Sequence, residues 1–195
     1  MDKNIVQLNK LEYLEIDNLC NESIIENIYG ISSLKELIIS GKKLTKVPEG
    51  ISKLSKLERF KISTSPINEL PKDFNLLTIK YFGYTNLGLA NFNVSEEDIC
   101  YPKWEQIFST LSEIRTLHEV GLINNQIRIL PKAIGLLKQI NRLDLSNNGL
   151  LTEEAFPKEI KELKNLKELK IVPNAIKLNI ISELKNEING IKIIS

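Results

Sequence analysis

Cys20, Cys100 and His118 are the thiols and the one imidazole in this sequence of 195 residues, so nucleophilic, general-base or soft-metal chemistry would have to start from them. His118 could act as a general base for Cys100 or a serine only with a third group orienting its ring and a hydrogen-bonded approach, neither of which spacing supplies. A solvated histidine near the edge of a strand is the simpler reading. The cysteines and histidine lack the clustered spacing of zinc ligands, and no glycine-rich loop is present to cradle a phosphate. Both thiols are read as small core-filling residues. The expectation is no enzyme activity, no catalytic residue, no metal site and no cofactor.

Charge narrows the remaining classes. The 26 basic and 25 acidic side chains nearly cancel, and no run of lysine or arginine is long enough to track a phosphate backbone. Nucleic acid is not an expected partner. The start of the chain lacks a secretory apolar region, and no uninterrupted apolar stretch approaches the roughly 18 residues of a membrane span. Without flanking cysteine clusters the chain fits a reducing compartment, the cytoplasm, although removal of an export signal would leave the same picture. A monomer is expected.

What remains is a binding surface, and its placement depends on the elements that carry it. Residues 140–150 read Ile-Asn-Arg-Leu-Asp-Leu-Ser-Asn-Asn-Gly-Leu. This is the pattern L-x-x-L-x-L-x-x-N-x-L with isoleucine first, and a period of about 20 to 29 residues built on it marks units of one short strand and a return segment. Such units begin near residues 11, 34, 57, 79, 117, 140, 166 and 188. The first carries Leu14, Ile16 and Leu19, then Ile24, Ile28 and Ile31 on a return predicted helical from the capping-box order Ser23 to Glu26. Ile5, Val6 and Leu8 are expected to cover its open end, because a solenoid's first core layer would otherwise face water.

The second and third units share a return in which Val47-Pro48 or Leu70-Pro71 precedes inward apolar residues. In the fourth unit, alignment of the segment from Leu70 with that from Leu130 puts Ile79, Phe82, Tyr84, Leu87 and Leu89 at positions one, four, six, nine and eleven. An insertion lies within residues 90–116. From Pro102, taken as part of the first helical turn, the residues Trp104, Ile107, Phe108, Leu111 and Ile114 recur at helical spacing. Trp104 and Phe108 are expected to pack this convex helix onto the solenoid, with a partner-facing aromatic site as the alternative. Asparagine fills position nine only as Asn125, Asn148 and Asn174, which confines the expected ladder of buried asparagines to the C-terminal half.

With these residues laid out, the chain resembles the leucine-rich repeat family over nearly its whole length. Its LPxxΦxxL units look like the bacterial type, with repeats of about 23 residues. The resemblance implies one α/β solenoid domain across residues 1–195, with a concave parallel sheet of about eight strands and a convex side of mixed helix and turn. It also implies a role in binding proteins, without identifying which, since the shared residues are the buried ones.

Strand alternation points positions three and five out of the concave sheet. Position three reads Tyr13, Glu36, Arg59, Tyr81, Glu119, Arg142, Glu168 and Gly190; position five reads Glu15, Ile38, Lys61, Gly83, Gly121, Asp144, Lys170 and Lys192. The alternating charges form cross-strand pairs in the simplest reading. Gly83 and Gly121, side by side beneath Tyr81, predict a shallow depression at mid-face, unless the inserted segment needs the room. The expected site is therefore Tyr81, Gly83, Glu119 and Gly121, flanked by Arg59 and Lys61, receiving a protein or peptide ligand. The alternatives are a structural or signalling scaffold docking through the insertion around Trp104, and the recognition part of a larger effector.

Overall fold

The structure, a computed structural model, describes residues 8–85, 102–150, 152–174, 176–188 and 190–195. Eight short strands form one parallel sheet in sequential order: β1 (Tyr13–Ile16), β2 (Glu36–Ser40), β3 (Arg59–Ser63), β4 (Tyr81–Thr85), β5 (Glu119–Ile123), β6 (Arg142–Asp144), β7 (Glu168–Lys170) and β8 (Lys192–Ile194). Parallel neighbours need a crossover on one face. Here the returns are α1 (Glu22–Ile28), α2 (Trp104–Ser112), α3 (Leu178–Glu187) and short 3-10 turns such as Lys72–Leu76 and Lys132–Leu136. No helix among the described residues is long and apolar enough to cross a membrane.

The core lies between sheet and returns. Positions four and six from β2 to β5 and at Leu143, Leu145, Leu169 and Ile171 are buried, as alternation requires. In the middle, Phe60, Phe74 and Phe82 pack with ring centroids 5.3 to 6.4 Å apart. Four strands are followed by a turn at position eight, where Asn18, Thr64, Asn124 and Asn147 take φ between 45° and 60°. Asparagine tolerates that left-handed conformation better than most residues. At the same position Gly41 meets a different constraint: an added Cβ would stand 2.0 Å from the Leu19 carbonyl oxygen of the preceding repeat.

The asparagine ladder occupies the C-terminal half, as position nine predicts. Asn174 donates to Leu145 O, Asn148 to Leu122 O and Asn125 to Tyr84 O. The spine then continues without asparagine. The buried Tyr84 hydroxyl lies 2.9 and 2.6 Å from the carbonyls of Ser65 and Ile67, and Ser65 Oγ accepts from Gly41 N and donates to Ser63 O. A phenol and a serine thus satisfy loop groups that a buried backbone cannot leave open.

Several local expectations are corrected. The cap of α1 is Asn21, whose side chain accepts from Ser23 N, two residues earlier than a Ser23 cap would start it. Pro102 precedes α2, which begins at Trp104 after Lys103. Leu8 is exposed rather than folded over the first core layer, and Ile5, Val6, Leu87, Leu89 and Cys100 lie outside the described residues. Cys20 is an exposed thiol, not a core residue.

The last unit is shifted by two residues. Lys192 pairs with Glu168 and Ile193 with Leu169, so Lys192 and Ile194 hold positions three and five in place of Gly190 and Lys192. The added length is taken up by α3, whose buried Ile180, Ile181 and Leu184 recur at helical spacing. A shift of two keeps every side chain on its expected face, which is why it leaves no trace in hydrophobic alternation.

Candidate functional site

The concave face is built by register. Glu36, Arg59, Tyr81, Glu119, Arg142, Glu168 and Lys192 stand side by side on successive strands. Ion pairs join most of them: Arg59 to Glu36 at 3.6 Å, Arg142 to Glu119 at 3.9 Å and to Glu168 at 3.2 Å, and Lys192 to Glu168 at 3.4 Å. In the next row Lys170 pairs with Asp144 at 3.3 Å. The Arg142 hydrogen bond, followed by Lys192, holds the Glu168 carboxyl below the usual carboxylate range. Such pairs are screened by water and add little to stability, so the row sets the charge pattern more than the stability.

Tyr81 interrupts the row, and its side chain overturns the expected depression. An added Cβ on Gly83 would stand 2.6 Å from the Tyr81 hydroxyl oxygen and 2.9 Å from ring carbon Cε1; one on Gly121 would stand 3.0 Å from the same oxygen. The ring therefore lies down across both glycines, which are buried beneath it. The missing side chains make room for Tyr81 itself. On the other side, the Arg59 guanidinium sits 4.0 Å from the ring centroid, a geometry worth about 0.5 to 1 kcal/mol at an exposed site. Burial raises the Tyr81 phenol above its ordinary value, with Arg59 pulling the other way.

Arg59, Lys61, Tyr81, Gly83, Glu119 and Gly121 are thus contiguous on β3, β4 and β5. Lys61 stands in register between Ile38 and Gly83. Its side chain makes no ion pair or hydrogen bond with another described residue. Sequence reasoning missed the folded-down tyrosine, yet a signal was present: an aromatic two residues before a glycine on one strand face, with a second glycine on the adjacent strand, is the arrangement by which aromatics cover glycine in sheets.

The remaining candidates lie elsewhere. His118 is exposed at the strand edge. Among the described residues no group of three His, Cys, Asp or Glu is placed to hold a metal ion. A cleft of about 560 Å³ opens on the convex side between Glu22, Lys46, Glu49, Glu69, Lys72 and Gln106. Its lining includes the ion-paired Lys46 and Glu22, 3.2 Å apart, and among the described residues no serine, cysteine or histidine. Trp104 packs edge-on against Tyr84 at 5.2 Å and tilted against Phe108 at 5.8 Å, so its ring fixes α2 to the solenoid.

Comparison with known proteins agrees with this architecture. No family model matches the chain. Among curated proteins it is 30% identical over 146 residues to the probable serine/threonine-protein kinase pats1 of Dictyostelium discoideum; the match takes in 72% of this chain but only 4% of that protein's length. The crystal structure of human trophoblast glycoprotein superposes with a TM-score of 0.66 at 19% identity, over 99% of this chain and 71% of that one. The leucine-rich repeat domain of the type III effector XopL gives 0.53 at 15% identity, over 97% and 70%. The chain has the leucine-rich repeat fold.

Proposed function

We propose, from the leucine-rich repeat fold as premise, that this chain is a non-catalytic module that binds a protein or peptide on its concave sheet. The observation that carries the reading is the Arg59 and Tyr81 stack, set over two glycines at the middle of that sheet. Tyrosine and arginine are the side chains most enriched at energetic centres of interfaces, because they bury a large, stiff contact area and keep polar groups to pair. Strands held in register by backbone hydrogen bonds present this centre with little ordering left to do on binding, which is where affinity is commonly lost.

The convex reading has less support, since Trp104 is already engaged with Tyr84 and Phe108. The chain spans a small part of the kinase it matches, so recognition on behalf of a larger protein is compatible with the same surface.

Affinity capture from an extract of the source cell tests the assignment, with Arg59→Glu and Glu105→Lys as paired variants. The expected result is that the same bound species disappears with Arg59→Glu and persists with Glu105→Lys at the exposed side of α2. The reverse pattern would reject the concave face in favour of the insertion.

A further inference from the structure

We infer that Lys61, beside the Tyr81 hydroxyl, is the seat of an aspartate or glutamate side chain on an extended segment of the partner protein. This rests on the concave-face reading and adds to it the chemistry that the face selects. In the two outward rows the other cations already have carboxylates: Arg59 with Glu36, Arg142 with Glu119 and Glu168, Lys170 with Asp144, Lys192 with Glu168. Lys61 has none among the described residues, and its neighbours in register, Ile38 and Gly83, offer no polar side chain.

Arg59 lies two residues away on the same face of β3, so this strand presents two cations against the single carboxylate of Glu36. The local excess is positive although the molecule as a whole is nearly neutral. Lys61 is half-buried at the middle of the sheet, where a bound segment meets its charge at close range rather than at the rim. The second contact comes from Tyr81, whose hydroxyl lies over the position that a side chain at Gly83 would fill. A carboxylate has two acceptor oxygens and so can take one bond from the ammonium and another from the phenol.

Other occupants fit less well. A phosphate backbone needs a track of several free cations, which these rows do not provide. The concave face of a second copy presents Glu36, Glu119, Asp144 and Glu168 already engaged with lysine or arginine, and Glu15 stands on the terminal strand bonded to Tyr13, away from the middle of the sheet.

The test uses the full chain, labelled with nitrogen-15, and two end-capped decapeptides: alternating serine and glutamate, and its counterpart with glutamine for glutamate. The glutamate peptide is expected to shift the amide signals of Lys61, Gly83 and Gly121 and to bind about tenfold tighter than the glutamine peptide. Lys61→Met should remove that preference, whereas Lys192→Met, at the end of the row, should leave it within about twofold. The variants' own spectra report whether each still folds. Binding that maps elsewhere on the concave sheet and ignores Lys61→Met overturns the carboxylate seat and leaves the concave reading standing. Shifts confined to α2 overturn both, and failure of the glutamate peptide to bind overturns the seat.

Discussion

The Arg59 guanidinium lies 4.0 Å from the centroid of the Tyr81 ring, and the ring's opposite side rests on Gly83 and Gly121. Tyrosine is therefore clamped between a cation and bare backbone, and any side chain at residue 83 must lift it. Gly83→Ala should break the stack, lose about 0.5 to 1 kcal/mol, and weaken partner binding without unfolding the sheet. Ring-current shifts of the Gly121 Hα signals provide the check, since they should be present in the parent and absent in both Gly83→Ala and Tyr81→Ala.

Leu145 is fully buried at position six of a unit with unambiguous register. Leu145→Ala should lower stability by about 2 to 5 kcal/mol through lost transfer energy and the cavity left behind. A urea titration that superimposes on the parent's would show that the site does not pack as described.

Tyr84 carries the polar spine across the repeats that lack asparagine. Tyr84→Phe keeps the ring contact with Trp104 but removes the donor facing the carbonyls of Ser65 and Ile67. The expected cost is about 1 to 3 kcal/mol, the penalty of leaving buried acceptors unpaired. Faster amide exchange around residues 63–67, with β7 and β8 unaffected, would locate the defect.

Gly41 packs against the backbone of the first repeat, with room for no Cβ. Gly41→Ala should cost about 3 kcal/mol, because the clash is with a carbonyl rather than a movable side-chain end. Hydrogen exchange should show the loss first in β1 and α1. The equivalent change at Gly190, which has nothing within 4 Å but a φ of 75°, should cost only about 1 kcal/mol of backbone strain.

Alkaline pH should destabilise the fold through its buried phenols. Burial raises the Tyr29 and Tyr81 phenols above their ordinary value, and the Tyr29 hydroxyl donates to Pro48 O at 2.7 Å. The folded state then keeps protons that the unfolded chain releases near pH 10. Their contribution is present in full below about pH 10 and is lost as pH rises through the folded values. Urea midpoints should hold steady to about pH 9.5 and fall above it, and Tyr29→Phe should reduce the fall.

The sequence by itself determined which side chains face the core and which face outward, because a strand alternates its faces with a period of two and the repeat pins the start of each strand. Leu143, Leu145 and Leu169 are buried where alternation puts them, and the Glu36 to Arg59 and Arg142 to Glu168 pairs form where the outward rows predict opposite charges. Tertiary structure alone decided what cannot be read from a period. Whether Tyr81 stands up from the sheet or lies across two glycines depends on the adjacent strand and on Arg59. Whether Tyr84 and Ser65 complete the asparagine ladder depends on loops from different repeats coming within hydrogen-bonding distance. The two-residue shift of β8 leaves facing unchanged and is set by the length of α3. For Tyr81 and for the Tyr84 and Ser65 spine the deciding contacts join different repeats, so their energy exists only once the repeats have stacked.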